Sequence, residues 1–364
     1  MKALRGLATA LLVASSTACG GGGGSVPAPG ASQTPSVGSR IDAVASAQVA
    51  TGLVPSLEIG VARGGQTIYL HSYGWRSLAP AIAPDANTDY QIASLTKAFT
   101  AASVLLLVQD GKLALDDPLS HYIPEYPPAT GITLRQMLNM VSGIPSDVND
   151  GFTTLYGPID HESVVQRLAT FPLDFAPGTK FEYANANYYL LGIVVERVSG
   201  QTYPQFVTSR VIAPLGLSRT AYLANWNDAD TASGYWHNGV PSSAFGDRPP
   251  WSADYLFSMG GLLSDAPDLL RWEESLRAPG VLNGASLQTM FTVPNPALSP
   301  YAMGWFIDRD GTRWHDGESS GFNTAHALFP DGYDVVVLGN TWDQYPGHFD
   351  PVALVQSVHA ALPP

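Results

Sequence analysis

The chain has 364 residues, of which 45% are hydrophobic and 13% are charged. This composition fits a globular protein large enough for a substantial core, and it excludes a mainly disordered chain. The formal net charge is −13. An acidic chain of this kind argues against nucleic acid as a partner and against membrane attachment through a basic surface.

The first residues are typical of a secretory signal peptide, which we predict over residues 1–18. Lys2 and Arg5 provide a positive start, residues 7–13 an apolar run and residues 15–18 a stretch of small side chains. The apolar run is too short to be a permanent anchor, and no later segment reaches about 18 consecutive apolar residues. We therefore expect an exported protein, either periplasmic or secreted.

Cys19 is the only cysteine of the chain, so it cannot form an internal disulfide. The stretch before it resembles a bacterial lipoprotein signal, in which the cysteine becomes the lipidated first residue, although Ser16 stands where leucine is usual. Residues 19–39 are rich in Gly, Pro and Ser and predict a flexible tether. Two alternatives stay open: a lipoprotein held at the membrane through Cys19, and a secreted protein in which this cysteine has no role.

Helical and alternating patterns follow one another along the rest of the chain. The first part is predicted to hold a helix over 41–51, strands over 57–62 and 66–73, and a helix from Ser94 to about Asp110. The middle, about residues 112–250, is predicted to be mostly helical, including 134–141 and 187–199. The last part is predicted to hold a helix over 266–278 capped by Asp265, strands over 303–309, 312–315, 324–329 and 333–338, and a helix over 351–362.

Strands at both ends of a mostly helical middle indicate one domain over residues 40–364. We predict an α/β fold of the α+β type, with an antiparallel sheet built from both chain ends and flanked by helices. The helical subdomain of about residues 112–250 would be inserted into this arrangement.

The most informative motif is Ser-Leu-Thr-Lys at residues 94–97, directly before the apolar run 98–108. If that run is helical, Ser94 lies in its first turn and Lys97 lies on the same face. A serine becomes a nucleophile when a neighbouring base takes its proton, and a lysine becomes such a base when burial disfavours its charged form. The alternative is a serine cap followed by an exposed lysine.

Two further motifs carry polar groups suited to the same cleft. Tyr183 and Asn185 lie two residues apart on a predicted turn before a helix. His315 and Gly317 lie on a strand-like segment, where the glycine allows a substrate backbone to approach closely. Taken singly, Tyr183 is equally well a core tyrosine, and His315 a surface residue of a strand.

The order S-x-x-K, Y-x-N and H-x-G resembles the penicillin-recognising serine hydrolases over about residues 40–362. These include class C β-lactamases, D,D-carboxypeptidases, D-aminopeptidases and β-lactamase-like esterases, and they imply a β-lactamase/transpeptidase-like fold. Residues 141–145 (Val-Ser-Gly-Ile-Pro) look like the family's T-S-G-[IL]-P turn. Residues 259–264 (Met-Gly-Gly-Leu-Leu-Ser) look like its G-G-L-x-S segment.

The resemblance implies a role for each matching residue. Ser94 would be the acylated nucleophile, and Lys97 would help to take its proton. Tyr183, hydrogen-bonded among Ser94, Lys97 and His315, would be the other candidate base, provided that nearby cations lower its pKa.

The substrate would be held by groups from two other parts of the chain. Asn185 would bind the substrate carbonyl or amide, and the backbone N–H groups of Ser94 and Glu318 would form the oxyanion hole. The resemblance implies no cofactor. The sequence also shows no zinc-binding motif, so we expect no metal.

The chain departs from the family pattern beside His315. Where the family often has K-T-G or H-T-G, this chain has Asp316 before Gly317 and Glu318 after it. Two acids beside the nucleophile would repel a substrate carboxylate by up to a few kcal/mol if they are partly desolvated. If Asp316 points into the cleft, β-lactams and D-Ala-D-Ala peptides are disfavoured. Neutral esters or amides, or substrates with a free amine, are favoured.

A competing nucleophile is Ser319, because residues 317–321 match G-x-S-x-G. That motif requires a strand before the serine and a helix after it. Residues 322–338 read as strands instead, which argues against an α/β-hydrolase built on Ser319. Trp236, Trp251 and Tyr255 are candidates for lining the cleft, and packing in the core is their alternative.

We therefore predict an exported serine hydrolase that cleaves an ester or amide bond of a small-molecule or peptide substrate through an acyl-Ser94 intermediate. Two alternatives stay open: a D,D-carboxypeptidase or class C-type β-lactamase, and a catalytically silent relative that binds peptidoglycan or a partner. The sequence leaves the oligomeric state open.

Overall fold

A computed structural model describes residues 35–145, 158–226, 229–236, 245–247, 250–342 and 348–364. The predicted signal peptide, Cys19 and most of the predicted tether lie outside these ranges. The first helix begins at Val37, where the Ser36 side chain accepts a hydrogen bond from the backbone N–H of Ser39. The first helix thus begins inside the predicted tether of residues 19–39, because this serine caps its first turn.

The strands of the described residues form one large sheet and several small ones. In chain order their bounds are β1 Ser56–Arg63, β2 Gln66–Gly74, β3 Ser77–Leu78, β4 Ala81–Ile82, β5 Tyr90–Gln91, β6 Ala221–Tyr222, β7 Tyr235–Trp236, β8 Gly246–Asp247, β9 Leu262–Ser264, β10 Tyr301–Ala302, β11 Trp305–Ile307, β12 Arg313–Ser319, β13 Phe322–Leu328, β14 Tyr333–Gly339 and β15 Thr341–Trp342. The large sheet has the order β10-β11-β12-β13-β14-β1-β2, and all of its neighbouring strands are antiparallel. The predicted sheet from both chain ends is confirmed, because β14 pairs with β1.

Helices cover both faces of this sheet. Their bounds are α1 Val37–Ala50, α2 Thr96–Gln109, α3 Leu134–Leu138, α4 His161–Leu168, α5 Asn185–Ser199, α6 Tyr203–Val207, α7 Ala253–Gly260, α8 Ala266–Ser275, α9 Gly284–Met290 and α10 Pro351–Ala360. Helices α3 to α6 lie in the predicted helical subdomain. None of the helices in the described part of the chain combines the length and hydropathy that a membrane-spanning helix needs.

The sheet separates two apolar cores. Val335 and Val337 of β14 pack with α1 and α10, whereas Val336 and Leu338 face the larger core that holds α2, α5 and α8. Successive side chains of a strand point to opposite faces, so a strand buried on both faces is apolar throughout. This explains why residues 333–338 could be predicted as a strand.

Some predicted boundaries were wrong, for local backbone reasons. The predicted strand 303–309 is only β11, because Met303 and Gly304 adopt positive φ values of 36° and 94° and turn the chain. The predicted helix 134–141 ends at Leu138, since Met140 also has a positive φ. The predicted strand 312–315 continues to Ser319.

Candidate active site

Ser94 lies in a single 3₁₀ turn, Ala93–Leu95, that leads into α2. From Thr88 through Leu107 it is the one residue that is not buried. Ala93 before it has φ 46°, a left-handed conformation that is uncommon for alanine. Strained backbone of this kind is concentrated at functional sites. The turn thus exposes a single hydroxyl at the end of an otherwise buried helix.

Lys97 is fully buried one turn further on. Its Nζ donates hydrogen bonds of 2.8 Å to Ser94 Oγ and 2.8 Å to the carbonyl oxygen of Met259 at the end of α7. Burial lowers the pKa of this amine to about 7, although the charge of Asp316 acts in the opposite direction. A large fraction of Lys97 is therefore neutral near pH 7 and can accept the Ser94 proton.

Tyr183 precedes α5, and its ring centroid lies 5.0 Å from Lys97 Nζ. Burial and the charges of Asp316 and Glu318 hold the pKa of the phenol well above its usual range, although the neighbouring Ser94 acts to lower it. The hydroxyl makes no hydrogen bond of good geometry within the described ranges. The expectation that nearby cations lower the pKa of Tyr183 is wrong, because the acids and burial dominate.

The turn at residues 141–145 holds the start of α5 in place. Ser142 Oγ donates to Asn187 Oδ1 at 2.6 Å and accepts from the backbone N–H of Ile144 at 3.0 Å. Gly143 has φ 80°, and a Cβ there would overlap the carbonyl oxygen of Phe175. This region positions Tyr183 and the partly exposed Asn185, the first residue of α5, at the same helix end.

His315 is a neutral imidazole inside β12. It is buried, and its Nε2 lies 3.1 Å from the Tyr301 hydroxyl while its Nδ1 lies 2.5 Å from the carbonyl oxygen of Asp316. Burial, together with the charge of Lys97, lowers the pKa of His315 to about 3. Both ring nitrogens of His315 thus have partners other than Tyr183, so the predicted hydrogen bond between His315 and Tyr183 is not formed. Because the imidazole is neutral, His315 does not supply a cation to the cleft.

Gly317 brings β12 directly against the nucleophile turn. A Cβ at this position would overlap the carbonyl oxygen of Ile92 and lie 3.1 Å from Leu95 Cδ1. Only glycine permits this approach. Because β12 lies directly beside the turn of Ser94, the backbone N–H of Glu318, the residue after Gly317, also belongs to this neighbouring strand.

The side chains of Asp316 and Glu318 lie on the face of β12 opposite the buried His315, Gly317 and Ser319. Asp316 has 40% of its side-chain surface exposed, yet partial burial and the nearby Glu318 raise its pKa. Its charge acts on both Lys97 and Tyr183. The Asp316 carboxylate is therefore near enough to Lys97 and Tyr183 to raise the pKa of each.

Aromatic side chains lie next to Glu318. Trp342 Nε1 donates to Glu318 Oε2 at 3.4 Å, and the Trp342 ring lies 6.0 Å from that of Trp251, which lies 5.5 Å from that of Tyr255. Trp236 is the register partner of Trp342 in the parallel pair β7–β15. The three aromatic residues singled out from the sequence therefore lie in a group around Trp342, and Trp342 contacts Glu318 of the acidic pair.

Comparison with known proteins identifies the family. The Beta-lactamase family pattern matches residues 41–359. The chain belongs to this family. The fold and the resemblance predicted from the motifs are therefore confirmed.

A curated relative and two solved structures illustrate the range of the family. Protein flp of Staphylococcus aureus strain MW2 is 29% identical over 322 residues, which cover 84% of this chain and 64% of flp. A D-amino acid amidase from Ochrobactrum anthropi SV3 has a TM-score of 0.79 at 22% identity, covering 89% of this chain and 98% of the amidase. EstCE1, a hydrolase with promiscuous acyltransferase activity, has a TM-score of 0.77 at 21% identity, covering 88% of this chain and 98% of EstCE1. At these identities the two structures show a shared fold.

Ser319 is not placed as a nucleophile. It is fully buried, its Oγ donates to Gln91 Oε1 at 3.0 Å, and the strand β13 follows it where a nucleophile elbow has a helix. The sequence-based argument against an α/β-hydrolase is confirmed.

Three groups of the site were missed from the sequence. The carbonyl of Met259 is a backbone group, which no side-chain pattern reveals, although its segment was singled out. Tyr301 and Trp342 come from strands of two residues, too short to show alternation. The position of Trp342 just after a strongly apolar strand was the available signal for it.

Proposed function

We propose that this protein hydrolyses an ester or amide bond through a covalent acyl-Ser94 intermediate. The observation that carries the proposal is the 2.8 Å hydrogen bond between Lys97 Nζ and Ser94 Oγ, made by an amine whose pKa burial lowers to about 7. A serine next to a base of matched pKa is the arrangement that nucleophilic catalysis requires.

In the acylation step, Lys97 takes the proton of Ser94 as Oγ forms a bond to the substrate carbonyl carbon. The backbone N–H groups of Ser94 and Glu318 receive the oxyanion, and Asn185 holds the substrate's carbonyl or amide group. The bond to the leaving group then breaks, and the proton on Lys97 passes to the departing alcohol or amine. Tyr183, which stays protonated, donates a hydrogen bond along this path.

In the deacylation step, water attacks the acyl carbon and gives its proton to Lys97. The bond between the carbonyl carbon and Ser94 Oγ breaks, and Oγ recovers a proton from Lys97. A carboxylic acid leaves and the free enzyme is restored.

The charges near Ser94 favour esters and amides over β-lactams and D-Ala-D-Ala peptides. Asp316 and Glu318 oppose a substrate carboxylate, whereas His315 is neutral and Lys97 is only partly charged near pH 7.

Covalent labelling with a fluorophosphonate tests the proposal. We expect wild type to be labelled and to hydrolyse a p-nitrophenyl ester, and Ser94→Ala to lose both properties. Ser319→Ala serves as the matched control and should keep both. Labelling or turnover that survives in Ser94→Ala would overturn the proposal, and comparable turnover of nitrocefin and the ester would overturn the substrate preference.

We also propose that the chain is exported and held at a membrane through a lipid on Cys19. The order of a positive start, an apolar run and a small-residue stretch before the cysteine supports this. Cell fractionation of wild type and Cys19→Ser tests it: the wild type should be found with membranes, and the variant should be released in soluble form. Equal distribution of the two would contradict the tether.

A further inference from the structure

We propose that Asp316 and Glu318, with the indole of Trp342 beside them, form a subsite for an organic cation. The preferred substrate would then carry a protonated amine next to the carbonyl that Ser94 attacks. The inference rests on the proposed function and deepens it, because it assigns a charge to the acyl group of the substrate.

The first observation is that neither acid has a permanent cationic partner. No Lys or Arg lies within ion-pair distance of either carboxylate in the part of the chain that the structure describes. Among the described residues, the one ion-pair contact of Asp316 is with His315 Nδ1 at 3.7 Å, and that imidazole is neutral because its pKa is about 3. Two carboxylates on one strand face repel each other, so a bound cation would relieve this repulsion.

The second observation is the Tyr183 hydroxyl. Its oxygen is buried, its contact with Ser94 acts to lower the Tyr183 pKa but is not a hydrogen bond of good geometry, and no other partner lies in the described ranges; the charges of Asp316 and Glu318 also act on it. Buried polar groups are normally paired, and unpaired ones call for an explanation. A polar group of a bound substrate close to these side chains would supply a further partner.

The third observation is the aromatic surface next to the acids. The Trp342 indole donates to Glu318 Oε2 and thereby orients that carboxylate, and the Trp251 ring packs at 69° to the Trp342 ring. The Trp251 indole N–H is also buried without a partner within the described ranges. Acidic side chains beside indole rings are a combination that favours ammonium groups, by charge and by cation–π attraction.

The test compares three substrates that share alanine p-nitroanilide and differ in the group on the alanine nitrogen, which makes them positive, neutral or negative. They are alanine p-nitroanilide with a free ammonium, its N-acetyl form and its N-succinyl form, each as both enantiomers, with kcat/KM measured at pH 7. For wild type we expect the ammonium substrate to exceed the N-acetyl form by about tenfold or more, and the N-succinyl form to be the poorest. Asp316→Asn and Glu318→Gln should each reduce the ammonium-to-acetyl ratio by about tenfold, and 0.5 M NaCl should reduce it in wild type.

Glu162→Gln is the matched control, since it removes one negative charge from an exposed position on α4. Its ratio should stay at the wild-type value. A wild-type ratio near one, or a ratio unchanged in both site variants, would overturn the subsite. If Asp316→Asn does not fold, the test rests on Glu318→Gln, because Glu318 is exposed and its substitution should not affect folding.

Failure of the subsite and failure of the proposed function give different results. If wild type turns over the N-acetyl substrate and is labelled on Ser94 while showing no preference for the ammonium form, only the subsite is wrong. If wild type is neither labelled nor active on any substrate, the proposed hydrolase function itself fails.

Discussion

Lys97 Nζ donates a 2.8 Å hydrogen bond to the backbone carbonyl of Met259. A carbonyl oxygen carries no net charge, so it orients the amine without stabilising the ammonium form as a carboxylate would. Lys97 is thus fixed against Ser94 while burial keeps its pKa low. The end of α7 therefore supplies a positioning contact for the base.

The first prediction concerns the pH dependence of the reaction. In the proposed mechanism Lys97 is a base with a pKa of about 7, so kcat/KM for a neutral ester should rise as pH increases through about 7 and then level off. Asp316 raises the pKa of Lys97, so Asp316→Asn should move this rise to lower pH. A rise that occurs only near pH 10, or no shift in Asp316→Asn, would contradict the assignment.

The second prediction concerns stability. The pKa of Lys97 is about 7 in the folded state and 10.5 when unperturbed, so the unfolded chain binds more protons between these values. The cost of burying the ammonium is complete below pH 7 and is relieved as pH rises toward 10.5. Lys97→Met removes this cost, and it should be inactive but more stable than wild type at neutral pH.

Urea unfolding of wild type and Lys97→Met at several pH values measures this effect. Between the two pKa values, the stability difference should shrink with rising pH by on the order of 1.4 kcal/mol per pH unit. A difference that is independent of pH would show that Lys97 is not neutralised by folding.

The third prediction separates the two candidate bases. Tyr183→Phe removes a buried hydroxyl that lacks a hydrogen-bond partner of good geometry in the described chain, so it should cost little stability. Activity should fall by about 10²-fold or more, since the hydrogen bond that the protonated Tyr183 donates along the proton path is lost. The rise in rate near pH 7 should remain, because Lys97 sets it. Disappearance of that rise would instead identify Tyr183 as the base.

The fourth prediction tests the close approach of β12 to the nucleophile turn. Gly317→Ala inserts a methyl group against the Ile92 carbonyl, which should cost about 1–3 kcal/mol of stability and displace the strand that carries Glu318. Gly131→Ala is the matched control, because a Cβ there meets nothing within 4 Å. Thermal unfolding and ester hydrolysis measure both variants. Equal behaviour of the two would show that the strand does not need this glycine.

Much of the fold could be predicted because its signals are local. Asp265 caps α8 as expected, accepting from the backbone N–H of Asp268, and the apolar residues of β14 reflect burial on both faces. The proximity of Ser94 and Lys97 could be predicted from their spacing on one helix face. The predicted start of a strand at Met303 was wrong, because no sequence pattern reveals a positive φ in a residue other than glycine.

The electrostatics of the site could not be predicted to the same degree. The direction of the Tyr183 pKa depends on how close Asp316 and Glu318 come in space, although both are distant in sequence. Whether His315 is charged depends on its burial beneath Tyr301 and beside Lys97. The pKa of each group depends on all the side chains that surround it in the folded protein, and a sequence motif does not specify those neighbours.

Synthesis of the chain produces Ser94 and Lys97 long before the strand that faces them. The hairpin of β1 and β2 joins the remaining strands only through β14, which pairs with β1 on one side and β13 on the other. A ribosome needs on the order of 10–40 seconds to travel from Lys97 to His315 at ordinary elongation rates. Fragments left by premature termination before β12 therefore carry Ser94 and Lys97 without the strand that approaches them through Gly317, and the proposed mechanism predicts that such fragments are inactive.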